Sequence, residues 1–351
     1  MDRIVDLRSD TLTRPTEAMW DAMHHADVGD DVYGEDPTVT RLQELAAEMT
    51  GMEAALYVPS GTMGNTCAML AHTNPGEEMI AEELAHIYCW EAGTYANIAG
   101  LTVRSVKGEQ GIFTRQQFEQ TLRPANPHFP RPTLLCLENT HNNAAGAVWS
   151  VEEMASVADA AREQGLKVHL DGARVFNAAV ALGVDVKEIT ATVDSVMFCV
   201  SKGLSAPVGS LLCGSRAFID EAYRARKRLG GAMREAGVIA AAGVVALETM
   251  VDRLAEDHET ARLLAEGLDA IDGITATRAP RPTNIIMADV APLGWTSAQL
   301  IEQWNAAGIK CNPRPPHGVR LVTNRHASAE DINYVLDVTR EMVRSTAVAA
   351  G

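Results

Sequence analysis

The chain has 351 residues, with 30 Lys+Arg against 46 Asp+Glu and a formal charge of −16 at neutral pH. Its basic residues form no dense run, which excludes nucleic acid as a partner. Hydrophobic residues at 46% and charged residues at 22% place it among globular chains of one large domain plus a smaller one.

In chain order, Asp36, Pro37 and the apolar spacing Val39, Leu42, Leu45, Ala46, Met49 predict a helix over 35–51, closed by Gly51. A strand over 54–58 then runs into Ser60-Gly61-Thr62-Met63-Gly64-Asn65, a glycine turn at a helix start. Short strands near 78–80, 133–137, 167–170, 195–200 and 210–213 alternate with helical segments such as 151–164, which Ser150 and Glu153 open as a capping box. Alternation of this kind predicts an α/β fold with a mainly parallel sheet wrapped by helices.

Helices over 215–228 and 236–254 end the alternation. A smaller unit follows: helix 256–270, strand 284–290, helix 297–307, strand 319–322 and a last helix capped by Ser328. The predicted division is an N-terminal arm and large domain over 1–255 and a small C-terminal α/β domain over 256–351.

The longest apolar stretch, Ala236 to Leu247, is broken by Gly237 and Gly243. It falls short of the roughly 20 residues a membrane span needs, so no membrane partner is expected. The opening Met1-Asp2-Arg3 carries no secretory pattern, and the six cysteines show no CxxC or metal-ligand spacing. Both point to the cytoplasm, and no metal site is predicted.

Two charged residues stand directly after buried strands: Asp171 in Asp171-Gly172-Ala173-Arg174 and Lys202 in Ser201-Lys202-Gly203. Open α/β sheets bind ligands at these strand ends. Either residue alone is an ordinary turn residue. Together they supply the amine for a Schiff base and the carboxylate that keeps a pyridine nitrogen protonated. The Ser60–Asn65 turn adds free amides at a helix N-terminus and the Thr62 hydroxyl, which suit a phosphate. His86 and His141 also follow strands; one could stack on a cofactor ring and the other act as a base near neutral pH.

With these residues in view, the chain resembles the L-threonine aldolases, pyridoxal-phosphate enzymes of fold type I. The resemblance runs through Asp6–Thr11, Gly29-Asp30-Asp31-Val32-Tyr33-Gly34-Glu35-Asp36-Pro37, Ser60–Asn65, Leu137–Asn142, His169–Phe176, Ser201–Leu204 and Arg226–Gly237. It implies a seven-stranded large-domain sheet and retro-aldol cleavage of β-hydroxy-α-amino acids, L-threonine and L-allo-threonine among them, to glycine and an aldehyde. Lys202 would form the Schiff base, Asp171 would bind the pyridine nitrogen, Gly61 and Thr62 the phosphate, and His86 would stack on the ring.

By the same resemblance, Ser9, Arg174 and Arg320 would hold the substrate carboxylate, with Arg174 also at the cofactor. Tyr33, Lys227 and Arg234 would stand at or near the site, partly across a subunit contact in a homo-oligomer, commonly a tetramer. His86, His141 or a bound water would take the β-hydroxyl proton. The nearest alternative is a phenylserine aldolase or another pyridoxal-phosphate lyase on the same scaffold. Two departures, Ala145-Gly146 for Gly-Gly and Ala232 in Gly230-Gly231-Ala232-Met233 for a third glycine, bear on substrate preference.

Overall fold

The computed structural model describes residues 3–350, with side chains described to residue 345. In chain order its strands are β1 (Val5–Asp6), β2 (Ala54–Val58), β3 (Glu78–Glu82), β4 (Thr102–Val106), β5 (Pro132–Glu138), β6 (Lys167–Asp171), β7 (Ser195–Cys199), β8 (Ser210–Gly214), β9 (Thr275–Thr277), β10 (Ile285–Asp289), β11 (Ile309–Lys310), β12 (Asn312–Arg314) and β13 (Gly318–Val322). The large sheet has seven strands in the order β2-β8-β7-β6-β5-β3-β4. All run the same way except β8, which is antiparallel to both neighbours.

The central strands read as continuous apolar runs because helices cover both faces. Val168, His169 and Leu170 of β6 are fully buried, as are Val196 and Phe198 of β7. Strand β4 escapes sequence reading: it lies at the sheet edge, and Thr102, Arg104 and Ser105 are not buried, so it lacks the apolar run that marks the others. Because six strands point one way, Val58, Glu82, Glu138, Asp171 and Cys199 all end at one edge of the sheet. The loops that follow those ends carry Gly61, His86, Asn142, Arg174 and Lys202.

The helices expected over 236–254 and 256–270 are present as Gly237–Thr249 and Leu254–Asp269, with the break between them a few residues earlier than expected. No glycine or proline marks the break. Packing makes it: Leu254 stays in the large core, Ala261, Leu264 and Leu268 turn into a second one, and Arg253 folds onto Asp257 at 2.7 Å. That second core lies under the antiparallel sheet β12-β13-β10-β9. It also takes in Val5 and Leu7 from the N-terminal arm. Strand β1 pairs in parallel with β11, and Val322 N donates to Leu7 O at 2.8 Å.

The string from Gly29 to Pro37 is a clasp. Asp31 pairs with the fully buried Arg226 at 2.8 Å. Asp36 caps the Pro37–Thr50 helix, its Oδ1 accepting from Thr38 N (3.1 Å) and Val39 N (2.9 Å). Its Oδ2 accepts from Gly237 N at 2.8 Å, the first residue of the Gly237–Thr249 helix. A Cβ on Gly237 would come within 2.5 Å of Asp36 Oδ1, so that position takes glycine. One carboxylate thus caps two helices. Asp36→Ala should cost about 2 kcal/mol, roughly the worth of two caps, and Asp36→Asn, which keeps one acceptor oxygen, about half as much. Denaturant unfolding of the two variants beside the parent checks both values.

Candidate active site

A cavity of about 350 Å³ opens at the carboxyl edge of the large sheet, and Gly61, Thr62, His86, Asp171 and Lys202 all line it. The Gly61–His72 helix reaches it by lying close on β7. A Cβ on Gly61 would stand 3.2 Å from Met197 Cε, and one on Gly64 2.6 Å from Met197 Cγ. Ser60 Oγ accepts from Met63 N at 3.2 Å, leaving the amides of Gly61 and Thr62 at the helix end without an intrahelical partner.

Asp171 is almost completely buried. Its Oδ1 accepts from Ala173 N at 3.2 Å and its Oδ2 from Asn65 Nδ2 at 2.9 Å. His86 is held at both ends: its backbone N donates to Glu138 Oε2 at 2.6 Å, and its Nδ1 lies 2.9 Å from Glu91 Oε1. Burial lowers the His86 imidazole, but the Glu91 hydrogen bond and the charges of Asp171, Glu91 and Glu138 outweigh burial and raise it above its usual range.

Beside the lysine lies a second cluster, two buried arginines and one carboxylate that pairs with only one of them. Arg174 is buried and grips Asp10 twice, Nε to Oδ2 at 2.6 Å and Nη2 to Oδ1 at 2.7 Å. Burial pushes the Asp10 carboxyl up, yet Arg174, with Lys202 and Arg320, holds it down at about 2. Arg320 has no such partner. Its Nη2 donates to Asn142 Oδ1 at 2.7 Å and its Nη1 to Arg8 O at 3.4 Å, while Nε is buried without a hydrogen bond. Burial first, then the like charge of Arg174, brings Arg320 down to about 9. A buried cation destabilised in this way is a seat for an anion. Asn142 Oδ1 also accepts from Arg174 Nη1 at 3.2 Å, tying the pair together.

Other sequence candidates stand elsewhere. His141 is fully buried, off the cavity wall, with Nε2 3.0 Å from Glu82 Oε2. The turn after β5 brings His141 N to Ala147 O at 2.8 Å and packs the ring against Gly111, so a strand-end position does not put it in the site. Arg174 reaches the cluster, but its strongest contacts go to Asp10. Ser9 opens the short 3-10 turn at Asp10–Leu12 and accepts from Thr11 N at 3.2 Å.

Tyr33 is 76% exposed, Lys227 is exposed, and Arg234 pairs with Asp30 at 2.7 Å; all three are on the surface of this chain. Ala145 sits at φ 54 in the turn behind Asn142, not on the cavity wall. Sequence reasoning missed Asp10, Asn65, Glu91, Glu138 and Asn142 as site residues, although all but Glu91 lie inside strings already singled out.

The residues of the cavity fit pyridoxal phosphate. A volume of this size holds a small cofactor, and its donor set is matched: helix-end amides for a phosphate, an imidazole for a ring face, a buried carboxylate for a ring nitrogen and a lysine amine. The family model described as "Beta-eliminating lyase" matches residues 6–292. The chain is 43% identical over 339 residues to low-specificity L-threonine aldolase 1 of Arabidopsis thaliana, covering 95% of each. It is 44% identical over 330 residues to the low specificity L-threonine aldolase of Escherichia coli (strain K12), covering 94% of this chain and 96% of that one.

Among solved structures, a Leishmania major threonine aldolase superposes with a TM-score of 0.82 at 21% identity, over 96% of this chain and 99% of that one. A Sphingomonas wittichii serine palmitoyltransferase superposes with a TM-score of 0.76 at 17% identity, over 98% and 88%. Both likenesses speak for the fold, that of fold type I pyridoxal-phosphate enzymes. On sequence, fold and site together, the chain belongs to the β-eliminating lyase family and, within it, to the low-specificity L-threonine aldolases.

Proposed function

We propose that the chain is a pyridoxal-phosphate-dependent aldolase that cleaves L-threonine, L-allo-threonine and related β-hydroxy-α-amino acids to glycine and an aldehyde by retro-aldol cleavage. The observation that carries this reading is the convergence of Lys202, Asp171, His86 and the Gly61–Thr62 amides on one cavity, beside an arginine without an anion. When bound, pyridoxal phosphate supplies an electron sink for the pair left on Cα as the Cα–Cβ bond breaks.

The residues divide the work. Lys202 is the amine that would anchor the cofactor. Asp171 keeps the ring nitrogen protonated, and Gly61 and Thr62 hold the phosphate. Arg320 takes the substrate carboxylate through its guanidinium. Arg174, neutralised by Asp10, holds Asn142 and through it the Arg320 head. A fixed carboxylate fixes the rotation about Cα, and so which bond stands in position to break.

His86 covers the ring and is the base we favour for the β-hydroxyl proton. Glu91 takes its Nδ1–H, which makes Nε2 the nitrogen that accepts when the ring is in its neutral form. His141 is not in reach of that proton. Five of the six free cysteines are buried, in keeping with a reducing cytoplasm, and the exposed Tyr33 and Arg234 suit contacts in a homo-oligomer, a tetramer by family likeness. Among the described residues no helix is long and apolar enough to cross a membrane.

The test is glycine and acetaldehyde release from the four threonine stereoisomers with added pyridoxal phosphate. Release from the L-isomers that Lys202→Ala abolishes is the expected outcome; near-parental turnover in Lys202→Ala would sink the reading. Arg320→Leu should lower kcat/KM about 100-fold or more through loss of charged hydrogen bonds. Arg320→Lys, lacking the planar fork, should recover only part of it.

Asp10→Asn leaves Arg174 buried without its counter-charge and should destabilise the fold by about 3–5 kcal/mol. The pH dependence follows from the lowered Asp10 carboxyl. Its stabilisation is present above the ordinary carboxylate value and is lost as pH falls toward about 2. The stability gap between parent and Asp10→Asn should therefore narrow on acidification, as urea titrations over that range would show.

A further inference from the structure

A row of buried polar side chains runs inward from the cavity, unused by the mechanism above. Asn65 and His72 are seven residues apart on the Gly61–His72 helix and so share a face of it. His169 and Asp171, two apart on β6, share a face of the sheet. Ser195 is the registered partner of His169 on β7. The packing joins them end to end: His72 Nε2 is 2.8 Å from Ser195 Oγ, Ser195 Oγ is 2.9 Å from His169 Nδ1, and His169 Nε2 is 3.1 Å from Asn65 Oδ1. Asn65 Nδ2 then donates both to Glu91 Oε1 at 2.8 Å and to Asp171 Oδ2 at 2.9 Å.

We propose that Asn65 is a positioning residue for the ring end of the cofactor: one amide, oriented by His169, Ser195 and His72, holds Glu91 and Asp171 side by side, aiming Asp171 at the ring nitrogen and Glu91 at His86. This rests on the reading of the cavity as a pyridoxal phosphate site.

Proton bookkeeping leaves the row a single arrangement. Carboxylate oxygens only accept, so the Asn65 Nδ2 end must face them and Oδ1 must face His169. His169 Nε2 therefore carries the hydrogen. Burial, against the opposing charge of Asp171, holds His169 down at about 4, and burial with the neighbouring His169 holds His72 at about 3. Each ring accordingly has one proton at neutral pH. His169 Nδ1 is bare and accepts from Ser195 O–H, and Ser195 Oγ accepts from His72 Nε2–H. At the far end the His72 ring stacks on Phe218 with centroids 4.3 Å apart, which fixes the start of the row. Without the amide, two carboxylates face one another with no shared donor, and like charges so placed favour uptake of a proton by one of them.

The experiment uses protein labelled at its histidine nitrogens and free of cofactor, read by NMR. His169 and His72 should both show the Nε2–H tautomer and stay neutral down to about pH 5. An Nδ1–H or charged His169 at neutral pH would overturn the proposal, and this measurement needs no variant to fold. Asn65→Leu, close in volume, should weaken pyridoxal phosphate binding by about 10- to 100-fold.

The same variant should move the His86 titration downward in the cofactor-free protein. The acids facing His86 are Glu91, Asp171 and Glu138, Lys202 lies across the cavity, and loss of the amide protonates one of the first two. Ser195→Ala cuts the row at its middle without touching the cavity wall and should give a smaller loss of affinity in the same direction. Parental affinity together with a parental His86 titration in Asn65→Leu would mean that the amide only fills space, and the proposal fails. The underlying function is judged separately, by whether the parent chain binds pyridoxal phosphate at all.

Discussion

Two guanidinium groups are buried over one carboxylate, and the site is organised around that imbalance. Asp10 neutralises Arg174 through two short hydrogen bonds, and the pair together is a rigid, nearly neutral wall. Arg320 is then left as surplus charge, fixed by Asn142 and Arg8 O, in surroundings that disfavour its proton. An anion placed there would relieve a strain already present in the fold. The cost of burying Arg320 is met by the packing of both cores, which is how proteins usually carry an unfavourable functional group.

The Gly61–His72 helix joins two jobs that have no chemical connection. Its N-terminus lies on the cavity wall, and its inner face, four residues on, reaches the Asp171 carboxylate through Asn65. Since a helix is stiff over such a distance, the span from the Gly61–Thr62 amides to Asp171 is set by one element rather than by two loops. The small residues Gly61 and Gly64 permit this by letting the helix lie on Met197.

Much of this was legible in the residues. Strand ends carrying Asp171 and Lys202 are found by period and burial alone, because central parallel strands are unbroken apolar runs. The Asp36 cap and the Ser150–Glu153 capping box are local signals and hold in the structure. What depends on long-range packing was not legible. Asp10 and Arg174 are 164 positions apart, and no local pattern pairs them. Strand β4 has the composition of a loop because the sheet edge is half-solvated. His141 has the same local context as His86, and only the tight turn ending at Ala147 sends one inward while the other lines the cavity. The string Gly29 to Pro37 proves to be a clasp between helices, with Tyr33 left facing outward.

The N-terminal arm has one more implication, for the order in which the molecule comes into being. Asp10 is delivered by residues that pair with Ile309–Lys310 and Val322, some 300 positions downstream. Closing a loop of that length carries an entropic penalty and awaits the late strands. Lys202, Asp171 and the Ser60–Asn65 turn can meet while the C-terminal strands β9 to β13 are still unmade. The Asp10–Arg174 pair beside Arg320 cannot, so a growing chain brings the Lys202 cavity together well before that cluster.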